Sequence, residues 1–199
     1  MEIQTLGTGD QLGVLAVANA YAPVDGPALA PLMRHMRVVS LQGGETLLRA
    51  GDAPAIECFV LHGMLRTWVG DAEGRSVTLD FHEGPCALTP SVVRTVQGRS
   101  RVNCEAVGSA RLVVFDAQAL VDCMPMSTAV QCWGDAVLRA ELMRRADREW
   151  ALAALSAQER LLACRAAWPG LESRVPHRHL ASYLGITPVS LSRLRAKLR

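Results

Sequence analysis

Basic side chains are concentrated at the carboxyl end of this chain. Residues 160–199 contain eight Lys and Arg against a single acid, Glu172, whereas the rest of the chain has 13 basic and 18 acidic residues. The formal net charge of +2 therefore conceals a terminal block near +7 and a remainder near −5. Guanidinium and ammonium groups in such a block can bind phosphate oxygens, because each neutralised phosphate releases counterions.

The secondary structure that positions these basic side chains can be predicted from residues 176–199. Apolar residues recur at helical spacing on both sides of Gly185, namely Leu180, Ala181 and Leu184 before it and Leu191, Leu194 and Leu198 after it. Gly185 suits the positive φ at a helix end. Thr187 suits an N-cap, and Pro188 suits a first helical position. The pattern predicts two helices joined by a tight turn, which is typical of a helix-turn-helix.

The outer face of the second helix carries small and basic side chains. Small residues there would let the helix enter the major groove of DNA, where Arg193 can donate two hydrogen bonds to a guanine edge. We expect Ser192 and Arg193 to contact bases and the other polar residues to hold phosphates. The full set predicted at this interface is Arg178, Thr187, Pro188, Val189, Ser190, Ser192, Arg193, Lys197 and Arg199. An ordinary C-terminal helical hairpin is the alternative interpretation.

The fold class expected for the whole chain is α+β. Residues 1–35 favour helices, one of them over 26–35. From residue 36 to about 115, short apolar runs alternate with glycine turns, which predicts an antiparallel β-barrel or jelly roll. We therefore expect residues 1–116 to form an effector-type domain.

A long helix is predicted over residues 127–155. Four of its residues recur at the spacing of a coiled coil, namely Val130, Trp133, Val137 and Ala140. This seam predicts a dimerisation helix, and packing on the chain's own barrel is the alternative. Ser156 can cap a further helix that ends near Trp168. We expect a linker and dimerisation helix over 117–155 and a DNA-binding head over 156–199.

Composition excludes several classes of protein. No apolar run reaches membrane-spanning length, and the acids Glu2 and Asp10 stand where a secretory signal would be basic, so we expect a cytoplasmic protein. The six scattered cysteines form no CxxC pair, which favours reduced thiols over a metal site, although one could still act as a redox sensor. No catalytic motif of a hydrolase, a P-loop protein or a zinc protease is present, so an enzyme is not expected.

Two stretches resemble the Crp/Fnr family of bacterial transcription regulators. They are residues 51–81, GDAPAIECFVLHGMLRTWVGDAEGRSVTLDF, and 180–195, LASYLGITPVSLSRLR. With the order of elements, the likeness covers roughly residues 25–199. It implies a cyclic-nucleotide-binding type of barrel, a dimerisation helix and a winged-helix head. It also implies a homodimer that binds a two-fold site in double-stranded DNA and acts indirectly on RNA polymerase.

The resemblance assigns an effector site to Gly84, Arg99 and Ser100, but the sequence departs from the family there. Nucleotide-binding members carry Gly-Glu-Leu where this chain has Gly84-Pro85-Cys86, so the glutamate that holds the ribose is missing. Arg99 and Ser100 could still hold a phosphate. We therefore do not expect cyclic AMP or GMP to bind in the usual way. A haem-binding or ligand-free barrel stays open, although the histidines His35, His62 and His82 are more often ordinary polar residues than ligands.

The head departs from the family as well. Many members carry a glutamate where Val189 stands, so the base that it reads cannot be copied from a relative. The wing strands are absent or must precede the helix pair, around residues 173–175. These departures keep a second hypothesis open, in which the chain is a small-molecule-binding module that has lost specific operator binding.

Overall fold

The chain folds into two compact units. The computed structural model describes residues 2–53, 55–70 and 73–198. The first unit comprises Met1–Thr67 and Phe81–Leu142, and the second comprises Trp68–Asp80 and Met143–Arg199. The second unit therefore combines the tip of a β-hairpin with the C-terminal helices. These units do not follow the predicted three-part division, which stays a prediction.

The β-strands form two larger antiparallel sheets and one short hairpin. Among the described residues the strands are β1 (Glu2–Thr5), β2 (Arg37–Leu41), β3 (Thr46–Leu48), β4 (Ile56–His62), β5 (Met64–Gly70), β6 (Ser76–Glu83), β7 (Cys86–Ala87), β8 (Thr95–Val96), β9 (Arg99–Ser100), β10 (Asn103–Ala106) and β11 (Ala110–Asp116). The five-stranded sheet has the order β1-β2-β11-β4-β7, and the four-stranded sheet has the order β3-β10-β5-β6. β8 pairs with β9. The predicted antiparallel β-domain is confirmed.

The centre of the five-stranded sheet depends on a glycine between β4 and β5. Gly63 has a φ of +88°, and a Cβ atom there would lie 2.3 Å from the carbonyl oxygen of Ser109. No other residue type can make this turn beside β11 without displacing its backbone. β4 pairs with β11 over most of its length, from Ile56↔Asp116 to His62↔Arg111.

Strand β1 departs from the helical segment predicted for residues 1–35. It pairs antiparallel with β2, with Ile3 opposite Val39. All four of its residues are exposed. Such a short stretch has no burial pattern of its own, so only its tertiary pairing with β2 makes it a strand.

Among the described residues the helices are α1 (Thr8–Asn19), α2 (Gly26–Met33), α3 (Ser91–Arg94), α4 (Ala117–Cys123), α5 (Thr128–Ala154), α6 (Ala157–Ala167), α7 (Leu171–Arg174), α8 (His177–Tyr183) and α9 (Pro188–Lys197). The predicted long helix, the helix after it and the terminal pair are present, with the short helices α3, α4 and α7 in addition. Ser156 caps α6 as predicted: its Oγ accepts a hydrogen bond from the Glu159 amide, and its own amide donates to the Glu159 carboxylate at 2.8 Å. None of the described helices combines the length and the apolar character that crossing a bilayer requires.

The first half of α5 packs on the core of its own chain. Val130, Trp133 and Val137 are buried, and the Trp133 ring centroid lies 5.6 Å from that of Phe59. The face predicted to form a dimer seam is therefore covered by the chain's own core along this half of the helix, as the predicted alternative has it. The fourth residue of that seam, Ala140, is exposed. Helical spacing identifies an apolar face, but it does not say which surface covers that face.

Candidate nucleic-acid interface

The terminal helix pair has a buried seam and a tight turn, as its spacing predicts. Leu180, Ala181, Leu184 and Leu191 have no exposed surface. Gly185 has a φ of +67°, and after it the Ile186 amide donates to the Ala181 carbonyl at 3.0 Å. This is the six-to-one hydrogen bond of a Schellman motif. The turn therefore ends α8 sharply and brings α9 across it.

The start of α9 is held by its own cap. The Oγ1 atom of Thr187 accepts a hydrogen bond from the Ser190 amide at 3.1 Å and lies 2.9 Å from the Ser190 hydroxyl. Pro188 occupies the first turn, where the missing amide hydrogen costs no helical hydrogen bond. These local contacts leave the amino end of α9 ordered and facing solvent, and such an end attracts phosphate groups.

The outer face of α9 is exposed, as the sequence predicts. Ser192, Arg193 and Lys197 are exposed, and Val189 retains 59% of its surface. The other described members of the predicted set are also accessible: Arg178, Thr187 and Pro188 are exposed, and Ser190 is half-buried. Arg199 lies outside the described residues. The structure therefore presents these side chains on a surface, while their contact with DNA stays a prediction.

Part of the positive charge in the terminal block serves the structure instead. Arg165 donates to one carboxylate oxygen of Glu172 at 2.5 Å, and Arg195 donates to the other at 2.6 Å. These hydrogen bonds, with the arginine from α6 contributing most, hold the pKa of Glu172 below its usual range. The single acid of the block is thus a clamp between α6 and α9. The charge count of the block overstates the cationic surface that faces solvent.

No strand precedes the helix pair in residues 156–198, which are the described part of the head. Residues 171–174 form the short helix α7, so of the two alternatives for the wing strands, a position before the helix pair is excluded there. A β-structure does lie beside α8 within the same unit. The Thr78 amide in β6 donates to the Ser182 hydroxyl at 2.9 Å. The hairpin tip therefore covers a part of α8.

The residues predicted to bind an effector are used for local structure. Arg99 is exposed and donates to the Gly51 carbonyl at 2.9 Å. The Ser100 hydroxyl is buried and donates to the Val102 carbonyl at 2.7 Å. A Cβ atom on Gly84 would lie 2.8 Å from the Val60 carbonyl, so this glycine permits close strand packing. An effector role for these three residues stays a prediction.

Other charged residues occupy the interior of the first unit. Arg66 is 1% exposed, and its Nη1 atom lies 2.8 Å from the Glu105 carboxylate. Arg94 is also buried and donates to the backbone carbonyls of Ile56 and Thr89. Sequence reasoning missed both arginines, because neither lies in a recognisable motif. Their satisfied hydrogen bonds are the condition for burying a guanidinium.

The histidines and cysteines of the described residues lie in different surroundings. His35 and His62 are exposed, and the Nε2 atom of the buried His82 lies 3.4 Å from the Thr67 hydroxyl. No group of three described His, Cys, Asp or Glu residues could hold a metal ion. Burial raises the pKa of the Cys86 and Cys104 thiols to about 12, which leaves little thiolate for redox chemistry.

Comparisons with solved structures identify the fold. Neither the family models nor the curated proteins gave a match. FixK2 from Bradyrhizobium japonicum superposes with a TM-score of 0.67 and 20% identity, over 81% of this chain and 83% of its own.

Two further structures agree. The c-di-GMP-responsive global regulator CLP from Xanthomonas campestris has a TM-score of 0.70 and 15% identity, over 87% and 91% of the two chains. A Crp/Fnr-family transcriptional regulator from Eubacterium rectale has a TM-score of 0.69 and 18% identity, over 89% and 87%. The chain therefore has the fold of the Crp/Fnr regulators, with a β-domain of the cyclic-nucleotide-binding type and a C-terminal helix-turn-helix.

Proposed function

We propose that this chain is a dimeric, sequence-specific DNA-binding transcription regulator. The observation that carries the proposal is the outer face of α9. Leu191 anchors the helix with no exposed surface, while the adjacent Ser192 and Arg193 are exposed. A slender cationic helix of this kind matches the major groove, which is about 12 Å wide. The shared fold with known regulators supports the same conclusion.

The side chains divide into two roles. Arg193 and Ser192 contact base edges, and Val189 can touch a thymine methyl group. The remaining predicted residues hold phosphates and set the register of the helix: Arg178, Thr187, Ser190 and Lys197. The exposed amino end of α9 adds the backbone amide of Val189 as a donor for a phosphate. Specificity therefore depends on a few side chains, and affinity depends on many.

The second half of α5 supplies the surface for a second copy of the chain. Met143, Ala146, Trp150 and Ala153 recur at three- and four-residue intervals, which is the spacing of a coiled-coil seam. Met143 is 60% exposed and Trp150 is 61% exposed. Large apolar side chains at this spacing are costly to leave in water. This face replaces the one predicted from sequence, which is buried.

Selection of bound sites from random double-stranded DNA tests the proposal. We expect enrichment of a palindrome whose half-sites lie about 10–10.5 base pairs apart, because a two-fold dimer places two α9 helices on one face of the duplex. The selection should be run with and without cyclic AMP and cyclic GMP. A folded protein that enriches no sequence would contradict the proposal.

The second candidate function is a small-molecule-binding module that has lost operator binding. The apolar Val189 in the first turn of α9 and the strand-free head in residues 156–198 favour it. This candidate predicts that any DNA binding is equal for all sequences and disappears at physiological salt, since only phosphates would be contacted. Competition between the selected site and random DNA distinguishes the two functions.

Sedimentation of a Trp150→Glu variant tests the dimer. A charge in the seam should convert the dimer to a monomer at micromolar concentration. Leu162→Glu is the matched control, because Leu162 is also an exposed apolar residue, at 45%, but lies on α6 outside the seam. Equal effects of the two substitutions would remove α5 as the dimer surface.

A further inference from the structure

The second unit contains a cavity of about 290 Å³. It is lined by the end of α5, by α6, by Tyr183 of α8 and by Asp80 of β6. Its volume is close to the lower end of the range for small-molecule sites, about 300–1,000 Å³. None of the residues predicted to bind DNA or an effector belongs to its lining.

Two guanidinium groups face this cavity. Arg148 lies over the Tyr183 ring, with its guanidinium carbon 3.9 Å from the ring centroid, and donates to the Tyr183 carbonyl. Arg160 donates to the carbonyls of Leu184, at 2.9 Å, and Leu155. In the described part of the chain, both arginines are thus held by neutral partners. Each guanidinium has five N–H donors, so donors remain for a ligand.

The charges around the cavity leave it cationic. A third arginine, Arg144, forms an ion pair with Asp80. Asp147 lies at the exposed edge of the lining. Burial lowers the pKa of Arg148, and the nearby positive charge of Arg160 lowers it further. Two like charges that are partly removed from water would gain from a shared anion.

The remaining residues of the lining are suited to a planar, apolar part of a ligand. Ala151, Ala163 and Ala167 leave space between the helices, and Trp168 forms one wall. The Trp168 ring meets the Tyr183 ring edge-on, with centroids 5.7 Å apart. Aromatic walls favour a planar ligand, because rings can stack on them or meet their edges.

We propose that this cavity binds a small aromatic carboxylate, with its carboxylate on Arg148 and Arg160 and its ring between Trp168 and the alanines. A planar carboxylate matches the fork of a guanidinium better than a spherical ion does. The site shares no residue with the predicted DNA-binding or effector sets and needs no DNA. Binding of a ligand here can therefore be measured whether or not the chain binds DNA as proposed above.

Isothermal titration of the full chain with 2-naphthoate tests the site, with the neutral isostere 2-naphthamide as comparison. We expect one site per chain and at least about tenfold weaker binding of the amide, since hydrogen bonds to charged groups are stronger. Arg148→Met and Arg160→Met should each weaken naphthoate about tenfold or more. Arg145→Met should change its affinity less than about twofold, because the exposed Arg145 lies on the same helix outside the cavity.

A filling substitution tests the cavity without removing charge. Ala163→Phe should abolish naphthoate binding, whereas Ala166→Phe, at an exposed position of α6 outside the lining, should leave it unchanged. Circular dichroism melting checks that both variants fold. Equal binding of acid and amide, absence of binding to the folded protein, or displacement of naphthoate by an equal concentration of inorganic phosphate would each overturn the proposal.

Discussion

In the first unit, the guanidinium of Arg66 is buried and paired with Glu105. In the second unit, Arg193 is exposed on α9, and Arg148 and Arg160 face a cavity. The charge of Arg66 is neutralised by a carboxylate inside the protein. The charges of the three arginines in the second unit remain available to a ligand. An arginine therefore indicates a ligand-binding site only where its N–H groups are not already hydrogen-bonded to carboxylates of the protein.

The two sites predicted from the sequence differ in whether their arginine has a hydrogen bond to the backbone. Arg99, which the family resemblance assigns to phosphate binding, is directed to the Gly51 carbonyl. Arg193 of α9, which we propose reads a base, has no such hydrogen bond among the described residues and stays accessible. Four experiments can test this contrast, and the strongest effect is expected for the buried ion pair.

Breaking the buried pair should destabilise the first unit most. Arg66→Met leaves the Glu105 carboxylate without its buried partner, and we expect a loss of about 3 kcal/mol in the free energy of unfolding. Urea denaturation measures it. The control is Arg75→Met, because Arg75 pairs with Glu73 on the surface, where such a pair contributes less than about 1 kcal/mol. Equal losses would mean that burial does not distinguish the two pairs.

Removing the base-reading arginine should affect DNA binding and leave the fold intact. Arg193→Ala should cost about 1–3 kcal/mol of binding to the selected site and relax the preference at one base position. Fluorescence anisotropy with a set of single-base variants measures both changes. If binding to selected and random DNA falls equally, Arg193 contacts a phosphate and does not read a base.

Removing a lysine that binds phosphate should have a smaller and uniform effect. Lys197→Ala should weaken binding to all sequences alike and reduce the slope of log affinity against log salt by about 0.9 for each phosphate that the dimer no longer neutralises. The measurement is anisotropy over a series of salt concentrations. The clamp residue Arg195 provides the contrast, because Arg195→Met should lower the stability of the head through Glu172. An unchanged salt slope in Lys197→Ala would place this lysine away from DNA.

Glu172 in the second unit and Glu57 in the first should make opposite contributions to the dependence of stability on pH. The depressed pKa of Glu172 stabilises the fold above its ordinary value of 4.5, and this contribution is lost as the pH falls through the folded-state pKa. Burial raises the pKa of Glu57, so its contribution to stability falls as the pH rises above 4.5. In Glu172→Gln the free energy of unfolding should decrease less as the pH falls. In Glu57→Gln it should decrease more steeply as the pH falls. Urea midpoints from about pH 3 to 7 measure both, and slopes of the opposite sign would contradict this assignment.

Prediction from sequence succeeded where a few neighbouring residues decide the structure. The Gly185 turn and the caps at Thr187 and Ser156 depend on contacts within about five residues, so their spacing predicts them. The helical face of Leu180, Ala181 and Leu184 is also local, because helical periodicity alone places these residues together.

Tertiary packing decided the rest. The apolar face of α5 with Val130, Trp133 and Val137 packs on its own chain, and the direction of Arg99 depends on a carbonyl 48 residues away. The Arg148–Arg160 cavity joins three helices and a strand. The sequence by itself determined the order of the elements and the accessible polar face of α9, because these follow from short-range backbone preferences. Which charges are buried, clamped or left open was decided only by long-range packing, since it depends on partners that are distant in the chain.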